Sequence, residues 1–157
     1  PQFNTSLSPD GKQLVQKHFY HIAVAVDTPN GLVVPVIQDV DKKSILELSQ
    51  EIVAMSQTAR KGQLKASQMQ GSSMTISSLG GIGGTAFTPI VNWPDVAILG
   101  LSASQVEPFY NGNSFEPRSF LPLSLSYDHR VIDGAEAARF IVDVRKNLED
   151  MRRVLFV

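Results

Sequence analysis

A chain of 157 residues, 43% of them hydrophobic, can bury a sizeable core and is expected to form one domain spanning residues 1–157. Lys and Arg number 14 against 15 Asp and Glu, and this balance excludes nucleic acid or an anionic membrane as a partner for the surface as a whole. There is no cysteine, so disulfides and thiolate metal sites are excluded, and no apolar run reaches the roughly 18 residues of a membrane span. An intracellular address is the expectation.

The first residues, PQFNTSLSPDGKQL, lack the basic start and apolar run of a signal peptide and read as a loop. Phe19 to Val26 alternates with strand period, Thr28-Pro29-Asn30-Gly31 supplies a turn, and LVVPVI follows as a second strand, with Pro35 marking an edge or bulge. The pair reads as a hairpin. Ser44 and Glu47 form a capping box, after which Ile45, Leu48, Ile52 and Met55 recur at helical spacing until Gly62. Ser73 to Ser77 is expected to be a short strand and Asp95 to Ser102 a buried one. Arg118 to Tyr127 reads as one strand with Leu121, Leu123 and Leu125 on a common face. Beyond Gly134, the pattern Ala137, Ile141, Val144, Leu148, Met151, Leu155 predicts a single long helix. Interleaved strands and helices imply an α/β or α+β class with a mixed sheet.

Two motifs invite chemistry. Gly81-Ile82-Gly83-Gly84-Thr85-Ala86 matches a phosphate-binding glycine pattern only in form, because the β-branched residues and Pro89 that follow oppose the helix start which that chemistry needs. A tight bend is the expectation for these glycines. His129, in SYDHRVIDGAEAARF, stands where a strand hands over to a helix, among Asp128, Arg130 and Asp133. His129 and Asp133 are four apart, so on a helix they would share a face and hold a metal. No third ligand is apparent, and His18 and His21 offer no completing spacing. A serine hydrolase base is a further reading, without a G-x-S-x-G elbow to support it. The plainest alternative is a strand-end histidine held by a loop carboxylate and serving the fold alone.

The segment Asp128-His129-Arg130-Val131-Ile132-Asp133-Gly134 resembles the H-x-x-x-D-G signature of coenzyme A-dependent acyltransferases, the family of chloramphenicol acetyltransferase and of the E2 components of 2-oxo acid dehydrogenase complexes. VDTPNGLVVPVI, MTISSLGGIGGTAFTPIVN and PLSLSYDHRVIDGAEAARF are similar to the E2 branch in the same order along the chain. The resemblance implies a two-layer α/β sandwich, a mixed sheet covered by helices, truncated at its N-terminus relative to the family domain. It implies transfer of an acetyl group from S-acetyldihydrolipoyl-lysine to coenzyme A in the pyruvate dehydrogenase complex, with succinyl or branched-chain transfer as the alternative.

By the same resemblance, His129 falls on the general base and Ser77 on the donor to the oxyanion, contributed by neighbouring subunits of a trimer. Asp133 falls on the aspartate that holds the histidine loop by pairing with an arginine, which in the family lies in the part missing from this chain. Asp27 falls on the lining of the substrate channel, and Phe87 and Leu99 become candidates for the coenzyme side, with core packing as the other reading for each. Leu155 and Phe156 fall on the apolar end that joins trimers into a cubic core of about 24 chains, with a particle of about sixty chains as the alternative. The substrates implied are coenzyme A and a lipoyl group carried on a separate lipoyl domain, with no metal. The partners implied are that lipoyl domain and the E1 and E3 components, in the cytoplasm for a bacterial chain or the mitochondrial matrix for a eukaryotic one. Trp93 stands where the family has a small residue. An assembly module with an incomplete active site is the rival from a different class.

Overall fold

A computed structural model describes residues 1–155. A short 3-10 turn, Gln2–Asn4, leads into β1 (Thr5–Leu7), which pairs antiparallel with β2 (Leu14–Gln16). The opening stretch is therefore a hairpin, not the expected loop. Ser8-Pro9-Asp10-Gly11 makes its turn, with Gly11 at φ +69 and the Gly11 amide donating to the Ser8 carbonyl.

The expected strand from Phe19 is shorter and broken. β3 (Ile22–Val24) gives way at Ala25 to β4 (Val26–Thr28), which turns through Thr28 to Gly31 into β5 (Gly31–Val33). β6 (Val36–Ile37) then returns to β3 antiparallel, so the hairpin is real and Pro35 sits at the kink between its two halves. Ser44 caps α1 (Ile45–Arg60): its hydroxyl accepts from the Glu47 amide, and the Glu47 carboxylate accepts from the Ser44 amide. The chain leaves α1 through Lys61 to Gly62, at φ +68.

β7 (Met74–Ser78) and β8 (Ala97–Leu101) are the parallel centre of the sheet. A ribbon unforeseen in the sequence follows, β9 (Gln105–Tyr110) paired with β10 (Phe115–Phe120). The predicted strand Arg118 to Tyr127 is thus two strands. β10 belongs to the ribbon, Leu121-Pro122 interrupts, and β11 (Leu123–Tyr127) joins β8 antiparallel. The sheet order is β11-β8-β7-β3-β6, mixed in direction.

α2 (Gly134–Glu149) also ends earlier than predicted. Asp150 leaves the helical region at φ −134 and ψ 94, and its carboxylate accepts from the Arg152 amide and guanidinium, so α3 (Arg152–Leu155) is a separate turn. One face of the sheet carries the core. Met74, Ala97 and Leu99 meet Ile132 and Ala137 there, with Ile76, Leu125, Phe140 and Val144 closing over them. Among the described residues no helix is long and apolar enough to cross a membrane.

Candidate active site

His129 rides on the turn that links β11 to α2, and local bonds fix that turn from both sides. The Asp128 amide donates to the Val96 carbonyl at 2.8 Å, extending the β11–β8 ladder by one residue. The amides of Val131 and Ile132 both donate to the Asp128 carbonyl at 3.0 Å, and the Ile132 side chain is 0% exposed. Ile132→Ala is expected to lower unfolding stability by about 2–5 kcal/mol through the cavity it leaves. Thermal melting at fixed subunit concentration checks this; an unchanged midpoint would show that Ile132 does not anchor the turn.

The charged neighbours of His129 have other duties. Arg130 holds the Asp128 carboxylate through Nε at 2.9 Å and a second nitrogen at 2.6 Å, and these bonds keep that carboxyl below the usual carboxylate range. Asp133 caps α2, accepting from the Glu136 amide at 2.8 Å, which likewise holds its carboxyl below the usual range. Among the described residues Asp133 pairs with no arginine, so the arginine partner implied by resemblance is not among its contacts. His129 precedes the helix and Asp133 caps it, so the two do not share a helical face as a metal pair would. The His129 ring is exposed and lies 5.5 Å, centre to centre, from Tyr127. Among the described residues of one chain, no serine hydroxyl hydrogen-bonds to the ring.

Ser77 lies near the far end of the sheet. It is in register with Gly100, and Gly100 with Ser124, so these three positions form one row on the face opposite the core. Tyr127 is in register with Ala97, three positions from that row. Strand rise and spacing place the backbones of Ser77 and Asp128 roughly 16 Å apart, beyond the combined reach of the two side chains. One copy of the chain cannot bring Ser77 to its own His129.

The space around Ser77 has definite walls. A Cβ at Gly100 would meet Phe87 Cζ at 2.8 Å, so the missing side chain is what lets the Phe87 ring lie against the sheet. Phe87 lines a cavity of about 320 Å³ with Ser124 and Ser126. The glycines before it open a bend at Gly83 (φ +129) and Gly84 (φ +93), and no helix starts there. Asp27 is exposed and lines a cleft of about 520 Å³ with Ser56, Arg60 and Ser78, at the Ser77 end. Leu99, 8% exposed, is spent on the core face against Met74 and Ile132, away from the Ser77 hydroxyl. Trp93 is exposed and precedes Pro94 through a cis bond. The side chain of Leu155 and all of Phe156 lie outside the described residues.

The 2-oxoacid dehydrogenases acyltransferase (catalytic domain) family matches residues 1–156. The chain belongs to this acyltransferase family. It is 58% identical over 155 residues to the dihydrolipoyllysine-residue acetyltransferase component of the pyruvate dehydrogenase complex of Haemophilus influenzae, covering 99% of this chain but 27% of that relative. A solved Azotobacter vinelandii dihydrolipoamide acetyltransferase superposes with TM-score 0.95 at 57% identity, over 99% of this chain and 64% of that one. The cubic core of the pyruvate dehydrogenase multienzyme complex superposes equally well, TM-score 0.95 at 56% identity, again over 99% and 64%. The chain thus spans about a quarter of the curated relative and just under two thirds of the solved ones. A distant likeness to chloramphenicol acetyltransferase, 14% identical with TM-score 0.53 over 88% of this chain and 65% of that one, shows the shared fold alone. The α/β expectation from resemblance is met.

In the Azotobacter enzyme a serine, a histidine and an asparagine were investigated for their role in the catalytic mechanism, the histidine 52 positions after the serine and the asparagine four after the histidine. Ser77, His129 and Asp133 of this chain repeat those intervals, with a carboxylate at the third position. The features that sequence reasoning missed are the β9–β10 ribbon, for which Asn111-Gly112 was a readable turn signal, and a buried carboxylate, Asp95, for which there was none.

Proposed function

We propose that the chain is the catalytic core of an acyltransferase that moves an acetyl group from S-acetyldihydrolipoyl-lysine to coenzyme A, as part of a pyruvate dehydrogenase complex. The observation that carries the reading is the pairing of an exposed histidine on a rigid turn with a serine at the registered end of β7, at the intervals found in the related enzyme. His129 takes the proton of the coenzyme A thiol, whose ordinary pKa of about 8.5 leaves little thiolate at neutral pH without a base. The sulfur attacks the thioester carbonyl, and the carbonyl oxygen becomes an oxyanion to which the Ser77 hydroxyl donates. As the carbon–sulfur bond to the lipoyl group breaks, His129 returns the proton to the departing sulfur. Asp27 and Phe87 line the approach, and Asp133 keeps the start of α2 fixed.

The two groups come from different copies, Ser77 from one chain and His129 from its neighbour. Similarity to a cubic core supports a trimer built into a larger particle, with the lipoyl domain and the E1 and E3 components as partners of the whole protein. The β9–β10 ribbon supports it too, because Val106 and Phe115 are each 73% exposed on a single chain.

Complementation tests the arrangement directly. Particles assembled from equal amounts of His129→Ala and Ser77→Ala chains are expected to recover about a quarter of the parental rate, since random mixing leaves that fraction of junctions with both groups intact. Each variant alone stays near the background. A mixed particle of normal size with no recovery would overturn the shared site.

A further inference from the structure

The most buried carboxylate of the fold has no part in the chemistry just described. The Asp95 side chain is 0% exposed and receives three donors: Ser72 Oγ at 2.8 Å, Thr75 Oγ1 at 2.9 Å and Lys17 Nζ at 3.4 Å. The Lys17 side chain is itself only 10% exposed, and its Nζ also donates to the Ser72 carbonyl at 2.6 Å. Such a cluster ties three distant stretches together: the exit of β2, the entry of β7 and the loop that enters β8. Taking two charges out of water costs several kcal/mol even when they are paired, so an apolar cluster would serve packing at least as well.

What the carboxylate fixes is a neighbour of the reacting histidine. Asp95 immediately precedes Val96, 2% exposed, whose carbonyl accepts the amide of Asp128, the residue before His129. The path runs from Lys17, Ser72 and Thr75 through the Asp95 side chain to the backbone at Val96, across one hydrogen bond, and onto the turn. A slack entry to β8 lets the Val96 carbonyl rotate, and the turn then loses its link to the sheet. General-base catalysis depends on hydrogen-bond reach to the thiol, so a shift of about 1 Å is costly there.

We infer that Asp95, held by Lys17, is a positioning residue for His129. This role rests on the proposed transferase reading, and the test is chosen to separate the two. Asp95→Asn keeps the shape and one acceptor but loses the charge. In the assembled particle it is expected to lower kcat at least five-fold and to leave KM for coenzyme A and for dihydrolipoamide within two-fold. Hydrogen–deuterium exchange of the same particle, read by mass spectrometry, is expected to speed up in the peptides covering 126–133 and in those that hold the cluster, around Lys17, Ser72 and 93–97, with the remaining peptides unchanged.

Exchange that rises uniformly, or a kcat within two-fold of the parent, would overturn the inference. If Asp95→Asn fails to assemble, Thr75→Val carries the test under the same criteria, because it deletes one donor and leaves the ion pair in place. A parent without transferase activity would refute the transferase reading, and the localised exchange would still report on whether Asp95 holds the turn.

Discussion

Replacing His129 by alanine is expected to reduce acetyl transfer between acetyl coenzyme A and dihydrolipoamide by about 10²- to 10⁴-fold, the range by which a positioned general base accelerates proton transfer. Particle size and thermal stability should hardly change. The side chain is exposed and bonds to nothing among the described residues, and the turn is held by Asp128 and Ile132 instead. The loss should appear in kcat, because the imidazole acts on the thiol proton and contributes little to holding the coenzyme. A variant that kept a tenth or more of the parental rate would remove His129 from the mechanism, and the turn would then need another explanation.

Ser77→Ala is the second large effect. Deleting one donor to a tetrahedral oxyanion costs about 10²- to 10³-fold in related acyl transfers, and the loss should again fall on kcat. The substitution removes one oxygen from a half-buried position whose hydroxyl has no hydrogen-bond partner among the described residues, so stability should move little. Ser78 is the internal control. It lies on the opposite side of the strand with its oxygen bonded to the Gly80 amide, and Ser78→Ala is expected to leave the rate within a few-fold of the parent. Equal losses at both serines would show that the strand end matters only as backbone.

Much of this could be read from the residues because its causes are local. Ser44 and Glu47 satisfy amides within one helical turn, so the start of α1 is visible in four letters. The failures occurred where an apolar rhythm ran on through a break. Leu121, Leu123 and Leu125 alternate across Pro122, although only the last two belong to the sheet. Met151 and Leu155 keep helical spacing with α2 although Asp150 has already left the helix. Periodicity records which residues are apolar, and a proline or a carboxylate that captures its own backbone decides where the element stops. The site divides the same way. His129 and Ser77 were legible through the family motifs, whereas the contact between Lys17 and Asp95 spans 78 residues and depends on the finished fold.

The placement of Ser77 and His129 at opposite ends of one sheet has a consequence for the life of the protein. If the site is shared as proposed, a chain that has just folded and is still alone carries halves of two different sites and the whole of neither. It cannot discharge an acyl thioester before it meets its neighbours, so activity should vanish on dilution more steeply than subunit number does. On that proposal, transfer is confined to the assembled particle.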